Sequence, residues 1–346
     1  RWAGTTQPGA LGPLTVSMLQ GEEGRQRKEL AKLLHILGNV LKPDLVHLNN
    51  ALLAGVAPTL RHHLNVPVVC SLTGEDAFLD QLPSPHREQA WQLLGERMAE
   101  VDVLMALSRY YADVMAERLC LPRGWINVVP PGLDCESQDL ANEGRSRLPE
   151  GAAFRVGFFS RIAPEKGLHL LAEAVTLLAK DPSLPPVELH AGGYLATAER
   201  PYLAEVERLM AEAGLKDRFH YHGAPDYAGK MAMLKSFDAF CLPTLLPESK
   251  GLPALEAWAV GVPAVLPNHG AFVELIAETR GGLLHEPGNA ALLADGIATI
   301  IGDPEQAEAY GWQAQMCVHQ RYNESTLAAR TIELYRKTLD SHALSR

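Results

Sequence analysis

The chain has no C-x-x-C pair, no G-x-G-x-x-G or G-x-x-x-x-G-K-[ST] loop at a suitable β–α junction, and no long uninterrupted apolar run. Each absence removes a class of function. Without either glycine loop, nicotinamide oxidoreduction and P-loop phosphotransfer lose their usual phosphate cradles. A membrane helix needs roughly twenty consecutive apolar residues, so no membrane span is expected. No cationic amphipathic helix stands out either, and weak peripheral membrane association through a local patch is left open without support. Cysteine is sparse: Cys70, Cys120, Cys135, Cys241 and Cys317 are odd in number and far apart. That pattern favours small buried thiols in a reducing compartment, hence a cytoplasmic location, and offers no zinc set. Positive charge is also short, with 31 Lys plus Arg against 41 Asp plus Glu and a formal net charge of -10. Such a field opposes broad contact with a polyanion, so nucleic acid is not an expected partner. A local basic pocket for a single diphosphate remains compatible with it.

The 346 residues, 47% hydrophobic and 21% charged, describe an ordinary globular protein too long for one core, and two domains are the default. The first begins at RWAGTTQPGALG, with neither an initiator methionine nor an early strand, and is expected to lack its beginning. Strand-like runs GPLTVSML, DLVHLNN, VPVVCSL, VDVLMALS and INVVPPG follow. Leu30, Leu33, Leu34 and Leu37 share one helical face, ALLAGVAPTLRHH reads as a helix disturbed at Pro58, and further helices are expected near 86–99 and 109–119. The polar, aperiodic DCESQDLANEGRSRLPEG marks a boundary. The expected domains are 1–135, a linker at 136–152, a second domain at 153–323, and a last helix at 324–346 that is expected to return to the first domain. In the second, strands are expected at 154–159, 187–191, 238–242 and 262–266. Helices are expected near 167–180, 198–213, 226–235, 252–260, 269–277 and 289–301. The expected architecture is α/β: two doubly wound domains with parallel sheets, facing across a cleft. Ligands of such sheets lie beyond the carboxyl ends of the strands, so donor and acceptor would share that cleft.

The chemistry-bearing residues concentrate in two segments. SRIAPEKG follows the strand-like VGFF and leads into a helix whose first amides can meet a phosphate. Arg161 offers a bidentate contact and Lys166 a compact charge, with Ser160 beside them. Together they can stabilise a departing diphosphate; alone, each is an ordinary solvated turn residue. The second segment holds Glu248 and Glu256, eight positions apart in PESKGLPALE. A carboxylate accepts hydroxyl hydrogen bonds, which assigns Glu256 to a ribose and Glu248 to a donor sugar near the reacting carbon. An acid near a helix start is also favoured by the helix dipole alone. Ser249, Lys250, Gly251 and Leu252 would surround phosphate with backbone donors, Gly251 permitting close approach.

Other positions carry two readings. Gly192 and Gly193 need space beside either a ligand or a neighbouring backbone. His269, in NHGAFVELI, lines the donor pocket or caps a helix. Thr73, Glu75 and Asp76 in TGED are acceptor-side candidates, the acids either orienting a hydroxyl or starting the next helix. Ser108 and Arg109 end a similar strand and join them. His220 and His222 flank Tyr221 and could face one way, but no acidic or cysteine partner adjoins them, so no metal site is expected.

Taken together, these segments resemble the retaining glycosyltransferases of the large group-1, GT4-like family, whose GT-B fold pairs two Rossmann-like domains. The similarity covers about residues 40–340. It rests most on the E-x7-E pattern in ESKGLPALE and on SRIAPEKG as the phosphate loop, with KPDLVHLNN, LMALSRYYADVM and INVVPPGLD matching first-domain segments. The resemblance implies a nucleoside-diphosphate sugar as donor, a hydroxyl-bearing small molecule, glycan or lipid as acceptor, retention at the anomeric carbon, and no required cofactor or divalent metal. Arg161 and Lys166 would hold the diphosphate, Glu248 the sugar and Glu256 the ribose. Two departures stand out. Thr73 occupies a position where many relatives carry histidine, and the glycine-rich loop that follows the first strand in relatives is absent. These departures motivate the alternatives of a transfer-inactive sugar-nucleotide-binding or scaffolding protein and of a sugar-nucleotide epimerase or hydrolase.

Overall fold

The computed structural model describes residues 8–135 and 151–344. The opening segment, 1–7, and all but the last two residues of the expected linker at 136–152 lie outside them. The described chain divides into an N-terminal unit, 8–131 with 327–344, and a C-terminal unit, 132–135 with 151–326.

In the N-terminal unit, strands β1 (Val46–Leu48), β2 (Val68–Leu72), β3 (Val103–Ala106) and β4 (Ile126–Val128) form a parallel sheet in sequence order. Around it lie helices α1 (Pro8–Leu19), α2 (Arg27–Ile36), α3 (Ala57–Leu64), α4 (Asp76–Leu79), α5 (His86–Met98) and α6 (Arg109–Arg118). Pro58 stands in the first turn of α3, where its missing N–H costs nothing; the preceding Ala51–Val56 coils as a 3-10 helix. One expectation fails here. GPLTVSML is not a strand but most of α1. Leu14, Val16 and Met18 alternate with Thr15 and Ser17 and so mimic period two, yet the residues buried are Thr15, Ser17 and Leu19. Tertiary contact decides instead: Gly12 packs so closely on the His86 side chain that a Cβ would meet it at 2.7 Å, and Thr15 Oγ1 donates back to the Leu11 carbonyl.

The C-terminal unit contains β5 (Phe154–Phe159), β6 (Val187–Gly192), β7 (Phe219–Tyr221), β8 (Ala239–Cys241), β9 (Ala264–Pro267) and β10 (Gly282–His285). Helices α7 (Leu168–Leu178), α8 (Arg200–Glu212), α9 (Tyr227–Lys235), α10 (Leu252–Ala259), α11 (Ala271–Thr279), α12 (Ala290–Gly302) and α13 (Pro304–Arg321) cover the sheet. The strands are parallel in the order β10-β9-β8-β5-β6-β7. Their core includes fully buried Phe158, Phe237, Phe240, Trp258 and Phe272, with the Trp258 indole N–H donating to the Gly281 carbonyl at 2.9 Å. The order reverses between β5 and β8, and beyond the carboxyl ends of such a pair an open α/β sheet leaves a crevice for ligand.

A final helix, α14 (Glu324–Leu344), belongs from Leu327 onward to the N-terminal unit. It explains why β2 carries apolar residues on both of its faces. Val68, Cys70 and Leu72 face the main core, whereas Val69, with Met105 and Val129, packs on Leu327, Leu334 and Tyr335 of α14. On that same face His47 bridges the Tyr335 hydroxyl at 2.5 Å and Ser71 Oγ at 2.8 Å. Burial lowers the basicity of His47 below the ordinary imidazole value near 6.5. The unfolded chain therefore takes up this proton first, so stability is complete above pH 6.5 and declines as pH falls below it. We expect the melting temperature to drop between pH 7.5 and 5.5, and the drop to be smaller in His47→Gln by scanning calorimetry. Equal drops in the two proteins would exclude His47 as a source.

Candidate functional site

Both sequence segments emerge at the carboxyl ends of the two strands that flank the reversal. SRIAPEKG leaves β5, and PTLLPESKG leaves β8. Backbone bonds stitch the two loops together. Leu245 N donates to the Glu165 carbonyl at 2.8 Å, and buried Thr244 sets its hydroxyl between the carbonyls of Glu165 (3.0 Å) and Leu246 (2.9 Å). Gly167, with φ of 76°, caps the turn Pro164–Lys166 and starts α7; a Cβ there would lie 2.0 Å from the Pro243 carbonyl oxygen. The other side of the second loop rests on α11, where Ala271 N donates to the Glu248 carbonyl at 2.8 Å.

This stitching joins residues 82 positions apart: the Lys166 ammonium donates to Glu248 Oε1, with side chains only 19% and 15% exposed. An ammonium has three donors, so two remain for a ligand. A second pair joins α9 to α10. Lys230 Nζ donates to Glu256 Oε1 at 2.6 Å, again largely buried, and lies 5.1 Å from the Tyr227 ring centre and 5.9 Å from that of Phe159, the last residue of β5. Lys230 carries no sequence signal, because a lysine on a short helix is ordinarily a solvated one. Only the crossing of α9 and α10 gives it meaning. Arg161 is more exposed and pairs with Glu165 at 2.8 Å.

The neighbouring positions sort by what they touch. Gly251, with φ of 69°, begins α10 and packs on Leu275; Ser249, Lys250 and Leu252 flank it at partial exposure. His269 donates from Nε2 to the Thr244 carbonyl at 3.0 Å, since a carbonyl only accepts, and its buried Nδ1 is then an acceptor without a protein partner. For Gly192 and Gly193 the close neighbour is protein. Ser160 N donates to the Gly192 carbonyl, and a Cβ at Gly193, whose φ is 133°, would sit 1.7 Å from the Ser160 carbonyl oxygen. Strain and clash act together in Gly193→Ala, which we expect to lose about 1–3 kcal/mol by urea unfolding. A wild-type midpoint would contradict the contact.

In the N-terminal unit, Glu75 is buried and its carboxylate is filled. Oε1 accepts from Ala51 N and Thr73 Oγ1, and Oε2 from Thr73 N, Gly74 N and the Tyr111 hydroxyl, at 2.7–3.1 Å. Burial pushes the Tyr111 phenol far upward, so it stays a donor. Glu75 therefore fixes its own loop; its acceptor sites are taken by protein. Thr73 is likewise engaged, donating to Glu75 and accepting from Asn50 Nδ2 at 3.0 Å. Ser108 is the buried N-cap of α6, accepting from Tyr111 N at 3.0 Å. Asp76, first in α4, is partly exposed, and Arg109, first in α6, is exposed.

Two α/β units with all-parallel sheets, in a chain that superposes on solved glycosyltransferases along most of its length, place this protein in the GT-B fold class. The chain belongs to the group 1 glycosyl transferases: the family model "Glycosyl transferases group 1" matches residues 144–316, and "Glycosyltransferase Family 4" matches 11–137. Among curated relatives, a 2-deoxystreptamine glucosyltransferase of Streptomyces kanamyceticus is 29% identical over 210 residues, 58% of this chain and 51% of its own, so the match spans about half of that relative. A D-inositol 3-phosphate glycosyltransferase of Corynebacterium urealyticum is 28% identical over 336 residues, 91% of this chain and 78% of its own. Among solved structures, Anabaena Alr3699/HepE in complex with UDP superposes with a TM-score of 0.77 at 21% identity, covering 92% of this chain and 84% of that one. No helix among the described residues is long and apolar enough to cross a membrane.

Proposed function

We propose that this chain transfers a hexose from a nucleoside-diphosphate sugar to a hydroxyl acceptor with retention of anomeric configuration. One observation carries the reading: two largely buried Lys–Glu pairs border the strand reversal. Each pair combines a donor for phosphate with an acceptor for hydroxyls, the two chemistries a sugar nucleotide presents. Lys166, helped by Arg161, neutralises the leaving diphosphate, so transfer needs no divalent metal. Glu248 holds the sugar, and Glu256 the ribose. Retention proceeds by attack on the face the diphosphate leaves, a donor phosphate oxygen taking the acceptor proton. Glu248 being engaged by Lys166 favours that route over a double displacement, which needs an unencumbered nucleophile. On the acceptor side we assign Asp76 and Arg109 to contact, with Thr73, Glu75 and Ser108 positioning them. Five free thiols favour a cytoplasmic setting.

The test is a screen of uridine, guanosine and adenosine diphosphate sugars by thermal shift, followed by acceptor trials and nuclear magnetic resonance of the product. The expected result is one stabilising donor and a product of unchanged anomeric configuration. An inverted product would overturn the mechanism. Donor binding without product would favour the inactive binding protein, and altered or free sugar the epimerase or hydrolase.

A further inference from the structure

The β6–β7 pair carries polar side chains that sugar transfer does not use. In the parallel register His190 lies opposite His220, and Glu188, two residues before His190, shares its face. The absent acidic partner of the two sequence histidines is thus supplied by a neighbouring strand. Glu188 Oε2 lies 3.1 Å from His190 Nε2, and His222 Nε2 lies 3.0 Å from His190 Nδ1. The His190 ring stacks on His220 at 4.6 Å and on His222 at 5.3 Å between centres.

We propose that Glu188, His190 and His220 bind one zinc ion, with His222 as a positioning residue. One ligand atom from each of the three lies within 4.8 Å of the others. A tetrahedral zinc with bonds of about 2.0–2.1 Å places its ligand atoms roughly 3.4 Å apart, so small side-chain rotations close the set. His190 Nε2 faces the carboxylate and takes the metal. Its Nδ1 then carries the ring proton and donates to His222, the outer hydrogen bond that fixes a ligating imidazole's tautomer. Solvent fills the fourth position. β7 is a three-residue edge strand, and the ion would clamp it to β6 just before the Gly192–Gly193 turn.

The test uses the full chain stripped with chelator and titrated with zinc against a competing chromophoric chelator. One equivalent should bind and raise the melting temperature, and cobalt should give the visible absorption of a tetrahedral site. Glu188→Gln and His220→Asn should each lose that equivalent while melting in chelator as wild type does, and His222→Gln should weaken binding about 10-fold. Failure of the wild type to bind zinc would overturn the proposal, as would an equivalent that survives in both ligand variants. Sugar transfer is not a readout here, so this result stands apart from the proposed activity.

Discussion

Replacing Lys166 by alanine should lower kcat/KM for sugar transfer by about 10²–10³-fold, the loss typical of removing one well-placed donor to a developing anion. Two effects add in this variant. On the proposed assignment the leaving diphosphate loses its ammonium, and Glu248, with only 15% of its side chain exposed, is left as an uncompensated carboxylate. Breaking a buried pair from one side is costlier than removing both members. Lys166→Ala combined with Glu248→Gln should therefore bind donor nucleotide more tightly than Lys166→Ala alone, a sign of coupling that independent sites would not give. Additive losses in calorimetric titrations would separate the two residues and dissolve the pair as a functional unit.

The second large effect is expected at Glu256. A hydrogen bond to a charged group contributes about 1.5–3 kcal/mol, and Glu256→Ala should weaken donor binding by roughly 10–150-fold. The ribose assignment adds a sharper signature. Wild type should prefer a ribonucleotide over its 2′,3′-dideoxy analogue, and Glu256→Ala should bind both alike. Lys230→Ala should show part of the same loss, because its ammonium holds the Glu256 carboxylate at 2.6 Å. If Glu256→Ala keeps the ribose preference, the carboxylate serves α10 and not the ligand.

Much of this arrangement was legible in the amino-acid order. Strong local signals gave β5 at 154–159 to the residue, and the helices that become α5, α6, α7 and α10 within a residue or two. The elements that escaped have weak patterns. α13 (Pro304–Arg321) buries Gly311, Ala314 and Val318, a face of small residues that yields little hydrophobic contrast. β10 is four residues, GLLH, hidden between a helix end and a turn. α1 was misread because Leu14, Val16 and Met18 alternate as a strand template requires, although the segment is a helix packed on α5.

The site divides the same way. Lys166 and Glu248 stand in motifs whose glycines and prolines announce tight loops, so each was visible, though not that they bond to one another. That contact depends on Thr244 and the backbone of Glu165, whose roles have no sequence signature. Lys230 was invisible for the same reason, its partner being 26 positions away on another helix. Glu75 illustrates the converse. An acid in a loop beside a glycine reads as available, and only the fold shows five protein donors converging on it.

The most direct measurement is a crystal structure of the chain grown with a nucleoside-diphosphate sugar that stabilises it. The diphosphate should lie against Lys166 and the start of α7, with sugar hydroxyls on Glu248 and the ribose diol on Glu256. A donor bound away from these residues, with both Lys–Glu pairs undisturbed, would contradict the assignment of this crevice to sugar transfer.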